Sequence, residues 1–266
     1  EDGIRDHCVT GVQTCALPIC EKAAERVAYM ELRWGPHLHT AKGLTQRQVI
    51  AAVATGASNA AAACGVDVRL IVTALRSHGV EENRALAAAA VAAQDLGVVA
   101  FDLAGREAEV PDPLMFASAF DTARDGGLAI TLHAGEWGGA AQVRRALAVD
   151  PARIAHGAVA AEDPALCEEL IARNVVLDLC PTSNVQAAIV PGYGDFPVLA
   201  LHRRGVRITL NTDDRVVSDL TLSEEYGRVR RRLGAPVTEL LEIARSGYLA
   251  SFAPPPLRDE IGRAHV

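Results

Sequence analysis

The stretch Leu128-Ala-Ile-Thr-Leu132 runs into His133-Ala-Gly-Glu136, a short apolar segment that ends in an imidazole and a carboxylate three residues apart. An apolar run of this length, closed by glycine, reads as a buried strand opening into a loop. A single histidine in such a place is as easily a hydrogen-bonded core residue as a functional one. Two later segments repeat the arrangement. Arg153-Ile-Ala-His156-Gly157 ends an apolar run in histidine, and Val206 to Leu210 leads into Asn211-Thr-Asp-Asp214. Adjacent aspartates directly after a hydrophobic strand are costly near a core unless a cation or hydrogen-bond donors compensate them.

Working outward, apolar runs and helix-like stretches alternate along the chain. Strands are expected over 28–34, 66–73, 98–103, 128–132, 153–155, 175–179 and 206–210. Helices are expected over 45–64, 81–96, 113–125, 140–148, 164–174 and 196–204. Strands separated by helices of this length form parallel βαβ units, and their Val, Ile, Leu and Ala content suits strands covered on both faces. Either a doubly wound sheet or an eight-stranded barrel fits. An open sheet gathers its site at one switch point, whereas a barrel collects residues from many strand ends. Here polar groups follow several strands: Asp102 to Gly105, His133 to Glu136, His156, Ser183-Asn184 and Asp213-Asp214. The expected fold class is therefore α/β, a (β/α)8 barrel lacking its first strand.

Composition narrows the function classes. The 266 residues are 50% hydrophobic and 22% charged, ample for a large core. The net charge is -7, and the single basic run, Arg228 to Arg232, reads as a solvated helix face, so nucleic acid is not an expected partner. The alanine-rich run Ala85 to Ala93 is too short to span a bilayer, and no membrane role is expected. Cys8, Cys15 and Cys20 crowd the start while Cys64, Cys167 and Cys180 are scattered, which does not read as a secreted disulfide framework; a reduced, cytoplasmic protein is expected.

Both ends read as foreign. Residues 9–19 resemble the translation of a common sequencing adapter, and Ile261 to Val266 resemble its other end. The expected organisation is a non-native segment over 1–20, an incomplete (β/α)8 barrel domain over 21–260, and a second non-native segment over 261–266.

Imidazole and carboxylate are ordinary zinc ligands, which makes His133 and Asp213 the ligand candidates. Zinc can bring the pKa of a bound water to about 7. Glu136 is placed to pass a proton to a substrate, His156 to hold or polarise the attacking water, and Asp214 to orient the substrate.

Six motifs in order resemble the adenosine deaminase family of zinc-dependent amidohydrolases: Glu31-Leu-Arg-Trp-Gly-Pro36, Phe101-Asp-Leu-Ala-Gly105, Thr131-Leu-His-Ala-Gly-Glu136, Arg153-Ile-Ala-His-Gly157, Cys180-Pro-Thr-Ser-Asn184 and Asn211-Thr-Asp-Asp214. The resemblance spans nearly all of residues 21–260. It implies a (β/α)8 barrel and hydrolytic deamination of adenosine or deoxyadenosine to inosine or deoxyinosine, with a small purine nucleoside as partner and one zinc ion as cofactor. By motif, His133 and Asp213 match zinc ligands, Glu136 the proton donor to the ring and His156 the histidine beside the water. Asp214 matches the aspartate contacting water or purine, and Gly105 the glycine whose backbone approaches the purine. Ser183 and Asn184 are read as turn or mouth-shaping residues.

One family feature has no counterpart, the His-x-His pair of the first strand that supplies two more ligands. Pro36-His37-Leu-His39-Thr40 has that spacing but follows the segment matching the second strand, so His37 and His39 are read as loop residues. Half a ligand set predicts weak zinc binding and little turnover, and two uncovered sheet edges predict a tendency to associate. Two other readings stand beside this one: a deaminase of adenine or another aminopurine, and a non-catalytic nucleoside-binding barrel.

Overall fold

The computed structural model describes residues 19–258. The expected foreign segments lie outside the described residues except for Ile19 and Cys20. Ile19 is fully buried, and Cys20 is bonded to Cys64 with the two Cα atoms 5.3 Å apart, an ordinary disulfide span. Sequence spacing gives no sign of that pairing, because the partners stand 44 residues apart.

Seven strands form, β1 (Tyr29–Trp34), β2 (Asp67–Leu75), β3 (Val98–Ala104), β4 (Ala129–Ala134), β5 (Arg153–His156), β6 (Val176–Leu179) and β7 (Ile208–Leu210), and the pairing order follows the chain from β1 to β7. Every pairing is parallel. Sequential parallel order with a helix at each crossover is the topology of a (β/α)8 barrel, with seven of its eight strands among the described residues. β1 contains the Glu31-Leu-Arg-Trp segment.

The chain divides into two compact units. The first runs to Ala104 and adds Met115–Ile130, so it holds β1 to β3 and the start of β4. Its helices are α1 (Gln46–Cys64), α2 (Val80–Val91) and α3 (Ala117–Asp125). Thr45 caps α1 by accepting from Gln48 N–H while Gln48 Oε1 accepts from Thr45 N–H, a reciprocal pair that sets where the helix begins. Leu70, Ile71, Val72, Phe101, Leu103, Leu86 and Phe120 are buried in this unit.

The second unit comprises Gly105–Leu114 and all residues from Thr131 onwards. Its helices are α4 (Ala140–Ala146), α5 (Pro164–Ala172), α6 (Pro181–Gln186), α7 (Val198–Arg204), α8 (Arg215–Ser218), α9 (Leu222–Leu233) and α10 (Val237–Ala250). Leu132, Ile154, Leu177, Leu179, Leu201 and Ile208 are buried here. On α9, Arg230, Arg231 and Arg232 occupy the exposed last turn, as expected of the basic run. Cations at that end also suit the partial negative charge of a helix C-terminus. No helix among the described residues is long and apolar enough to cross a membrane.

Candidate active site

Both histidines sit at the ends of neighbouring strands in the second unit. β4 pairs with β5 so that His133 lies opposite Ala155, and Ala134 opposite His156. Strict alternation of side chains would send the two rings to opposite faces. His156 instead adopts a left-handed backbone, φ +65°, which breaks the alternation, and the ring centroids of His133 and His156 come to 5.4 Å. Asp213, three residues past β7, has φ +56°. Non-glycine residues in this region are uncommon and gather at functional positions.

The loop leaving β4 can be built only with glycine at 135. A Cβ there would stand 2.6 Å from Val143 Cγ2 and 2.8 Å from Val159 Cγ2, and the backbone φ is +74°. This tight turn brings Glu136 back toward β5, where its Oε2 lies 3.7 Å from His156 Nε2. Gly105, one residue past β3, also needs glycine, with φ +109°.

His156 is only 2% exposed. Burial, and after it the neighbouring His133, hold the imidazole below its ordinary value against the opposing pull of Glu136 and Asp213. The ring is therefore neutral near pH 7. Its Nδ1 lies 2.8 Å from Asn184 Oδ1. A carbonyl oxygen only accepts, so Nδ1 carries the proton and Nε2 presents its lone pair on the Glu136 side. Asp213 shows the opposite balance: burial would raise its carboxyl, but His156, the Ser183 hydroxyl and His133 hold it below the ordinary value. Ser183 Oγ donates to Asp213 Oδ2 at 2.7 Å.

Ser183 and Asn184 are thus more than the mouth-shaping residues that the sequence predicts, since each grips a candidate side chain. The segment that carries them is itself anchored. Glu225, fully buried on α9, accepts from Thr182 N–H at 3.1 Å, from Thr182 Oγ1 at 2.6 Å and from Tyr193 Oη at 2.8 Å. The tyrosine hydroxyl is pushed well above its ordinary range by burial and then by Glu225, so it remains a donor. These partners are 28 to 43 residues apart in sequence, which is why no local pattern reveals them.

His133, Glu136, His156 and Asp213 are brought together. Asp214 is exposed, and its Oδ1 accepts from Val217 N–H at 3.1 Å at the start of α8, so its carboxylate caps that helix. Gly105 is positioned by its backbone alone. Asp102 belongs to the first unit, where it accepts from Thr73 Oγ1 at 3.1 Å. His37 and His39 lie in that unit too, His37 buried and His39 exposed.

The donor set suits a divalent metal. Ligand atoms of His156, Cys180 and Asp213 all lie within 4.8 Å of one another, and the His133 ring stands beside His156. Imidazole, thiol and carboxylate are ordinary zinc donors. Cys180 is the donor that the sequence did not single out; it is buried, and only its place in the Cys180-Pro-Thr-Ser-Asn184 motif hinted at it.

Sequential parallel strands with polar groups collected at their ends define a (β/α)8-type barrel architecture. The chain belongs to the adenosine deaminase family, whose model matches residues 12–263. It is 35% identical over 228 residues to an adenosine deaminase of Clostridium acetobutylicum, covering 85% of this chain and 68% of that one. It is 34% identical over 244 residues to an adenine deaminase of Sinorhizobium fredii, covering 91% and 75%. In fold it is similar to an amidohydrolase from Burkholderia ambifaria solved with bound zinc, with a TM-score of 0.89 at 23% identity, over 96% of this chain and 71% of that one.

Proposed function

We propose that the protein hydrolyses the exocyclic amine of adenosine and deoxyadenosine, yielding inosine or deoxyinosine and ammonia, with zinc as cofactor. The observation that carries this reading is the meeting of His133, Glu136, His156 and Asp213 at the ends of β4, β5 and β7. His133 and Asp213 would hold the metal, with His156 and Cys180 in reach. When bound, zinc supplies Lewis acidity that makes water a nucleophile near neutral pH.

The side chains then divide the proton traffic. Neutral His156, with Nδ1 turned to Asn184, offers Nε2 to the proton leaving the attacking water. Glu136 gives a proton to the ring nitrogen beside the carbon under attack, the proton held by His156 passes to the amino group, which departs as ammonia, and the hydroxyl left on that carbon returns a proton to Glu136 as it becomes the carbonyl. Ser183 orients Asp213, and the loop at Gly105 admits the flat purine close to main chain. Asp214, capping α8, contributes to the purine's edge rather than to metal binding.

Relatives named adenosine deaminase and adenine deaminase match almost equally well, which favours adenine as a second reading. The test is ammonia release by the zinc-loaded full-length protein from adenosine, deoxyadenosine and adenine, each at several concentrations. The proposal expects kcat/KM for the two nucleosides to exceed that for adenine. A preference for the free base would move the assignment to the second reading, and no release from any of them would reject both.

A further inference from the structure

Glu107 is a carboxylate that the chemistry above leaves unused. It stands two residues past Gly105, has no exposed surface, and its Oε2 accepts the main-chain N–H of Trp137 and of Gly138, each at 3.0 Å. Its Oε1 is buried and makes no hydrogen bond among the described residues. A carboxylate removed from water is costly unless specific donors compensate it, and main-chain N–H groups aimed at one oxygen are such donors. The two donors follow Glu136 directly, in the stretch Gly135-Glu136-Trp137-Gly138-Gly139. Gly135 and Gly139 have φ of +74° and +68°, so the segment is built from residues with wide conformational freedom and needs an anchor to stay in one place.

We infer that Glu107 is the positioning residue for Glu136. It holds the loop after β4 by two charge-assisted bonds, and because it belongs to the loop after β3 it also fixes Gly105 relative to the Glu136 carboxylate. Proton delivery to a ring nitrogen requires placement within a fraction of an ångström, so a loosened loop loses rate while substrate still binds. The inference rests on Glu136 as proton donor.

The experiment compares Glu107→Ala, Glu107→Asp and Glu107→Gln in the full-length protein. Loss of the anchor in Glu107→Ala should lower kcat about a hundredfold, with KM moving less than about threefold. Glu107→Asp, one methylene short, should behave alike. Glu107→Gln keeps a carbonyl oxygen for both N–H groups and should retain kcat within about tenfold. Amide exchange in the peptide covering 136–139 should be faster in the alanine variant than in the glutamine variant, at a temperature where both are folded. A glutamine variant as poor as alanine, or unchanged exchange after alanine substitution, overturns the inference. If the unsubstituted protein releases no ammonia, the reading of Glu136 fails, and the exchange comparison still decides whether Glu107 anchors the segment. If the alanine variant does not fold, Glu107→Asp takes its place in both measurements.

Discussion

Two histidine pairs lie in the two units of this molecule, and they are put to different uses. In the first unit the rings of His37 and His78 stack with centroids 4.1 Å apart. His37 Nε2 lies 3.2 Å from Asn83 Oδ1, and its Nδ1 lies 3.2 Å from Gln46 Nε2. Amide groups occupy both nitrogens, so none is left for an ion. In the second unit only one nitrogen of His156 is engaged by an amide, and the other side of the ring faces Glu136 with Asp213 close by. A histidine pair therefore becomes a site through what surrounds it: amides close an imidazole, and carboxylates with one open nitrogen keep it usable.

The largest expected effect comes from removing the proton donor of the open pair. Glu136→Gln should lower ammonia release by about a thousandfold, within the usual range for a general acid, with the fold unchanged by circular dichroism. Retained activity would reduce the difference between the pairs to packing. Next come the groups that hold the open pair. Asn184→Ala and Ser183→Ala should each reduce zinc affinity or turnover by about ten- to a hundredfold, measured by metal titration and steady-state kinetics. If both variants match the parent, the grip on His156 and Asp213 carries no function.

How far the chain can be read without coordinates follows from the range of each interaction. All seven strands fall where the apolar runs predict, because burial on both faces leaves a local mark. Helix ends drift, for example over 81–96, where α2 stops at Val91 and a tight turn of Gln94–Leu96 follows. The four converging residues are legible because each lies at a strand end or within three residues of one, and barrels gather strand ends. Glu107 and Glu225 are not, nor is the bond of Asn184 to His156, since the partners stand 30, 43 and 28 residues away and nothing near them in sequence marks the bond. His37 and His39 mark the converse: His-x-His spacing is visible, but Gln46 and Asn83, which close His37, come later in the chain.

The closed pair supplies the smaller predictions. His37→Gln should leave zinc affinity and ammonia release within about twofold of the parent, while costing about 1 kcal/mol of stability from lost hydrogen bonding, read by denaturant titration. A large loss of metal binding would instead make His37 a ligand. A pH effect accompanies it. Burial, and after it the neighbouring His78, hold His37 below the ordinary imidazole value of about 6.5. The unfolded chain thus takes up a proton at higher pH than the folded one, and stability should fall as pH drops below about 6.5 toward the folded value. His156 shifts in the same direction, so the flattening of the curve in His37→Gln relative to the parent isolates the share due to His37.

Crystals of the full-length protein grown with zinc, with anomalous scattering recorded on both sides of the zinc edge, test the contrast between the pairs most directly. The expected map has one strong peak among His133, His156 and Asp213, and none beside His37 and His78. A peak at the stacked pair, or an empty second unit in zinc-saturated crystals, would contradict the assignment.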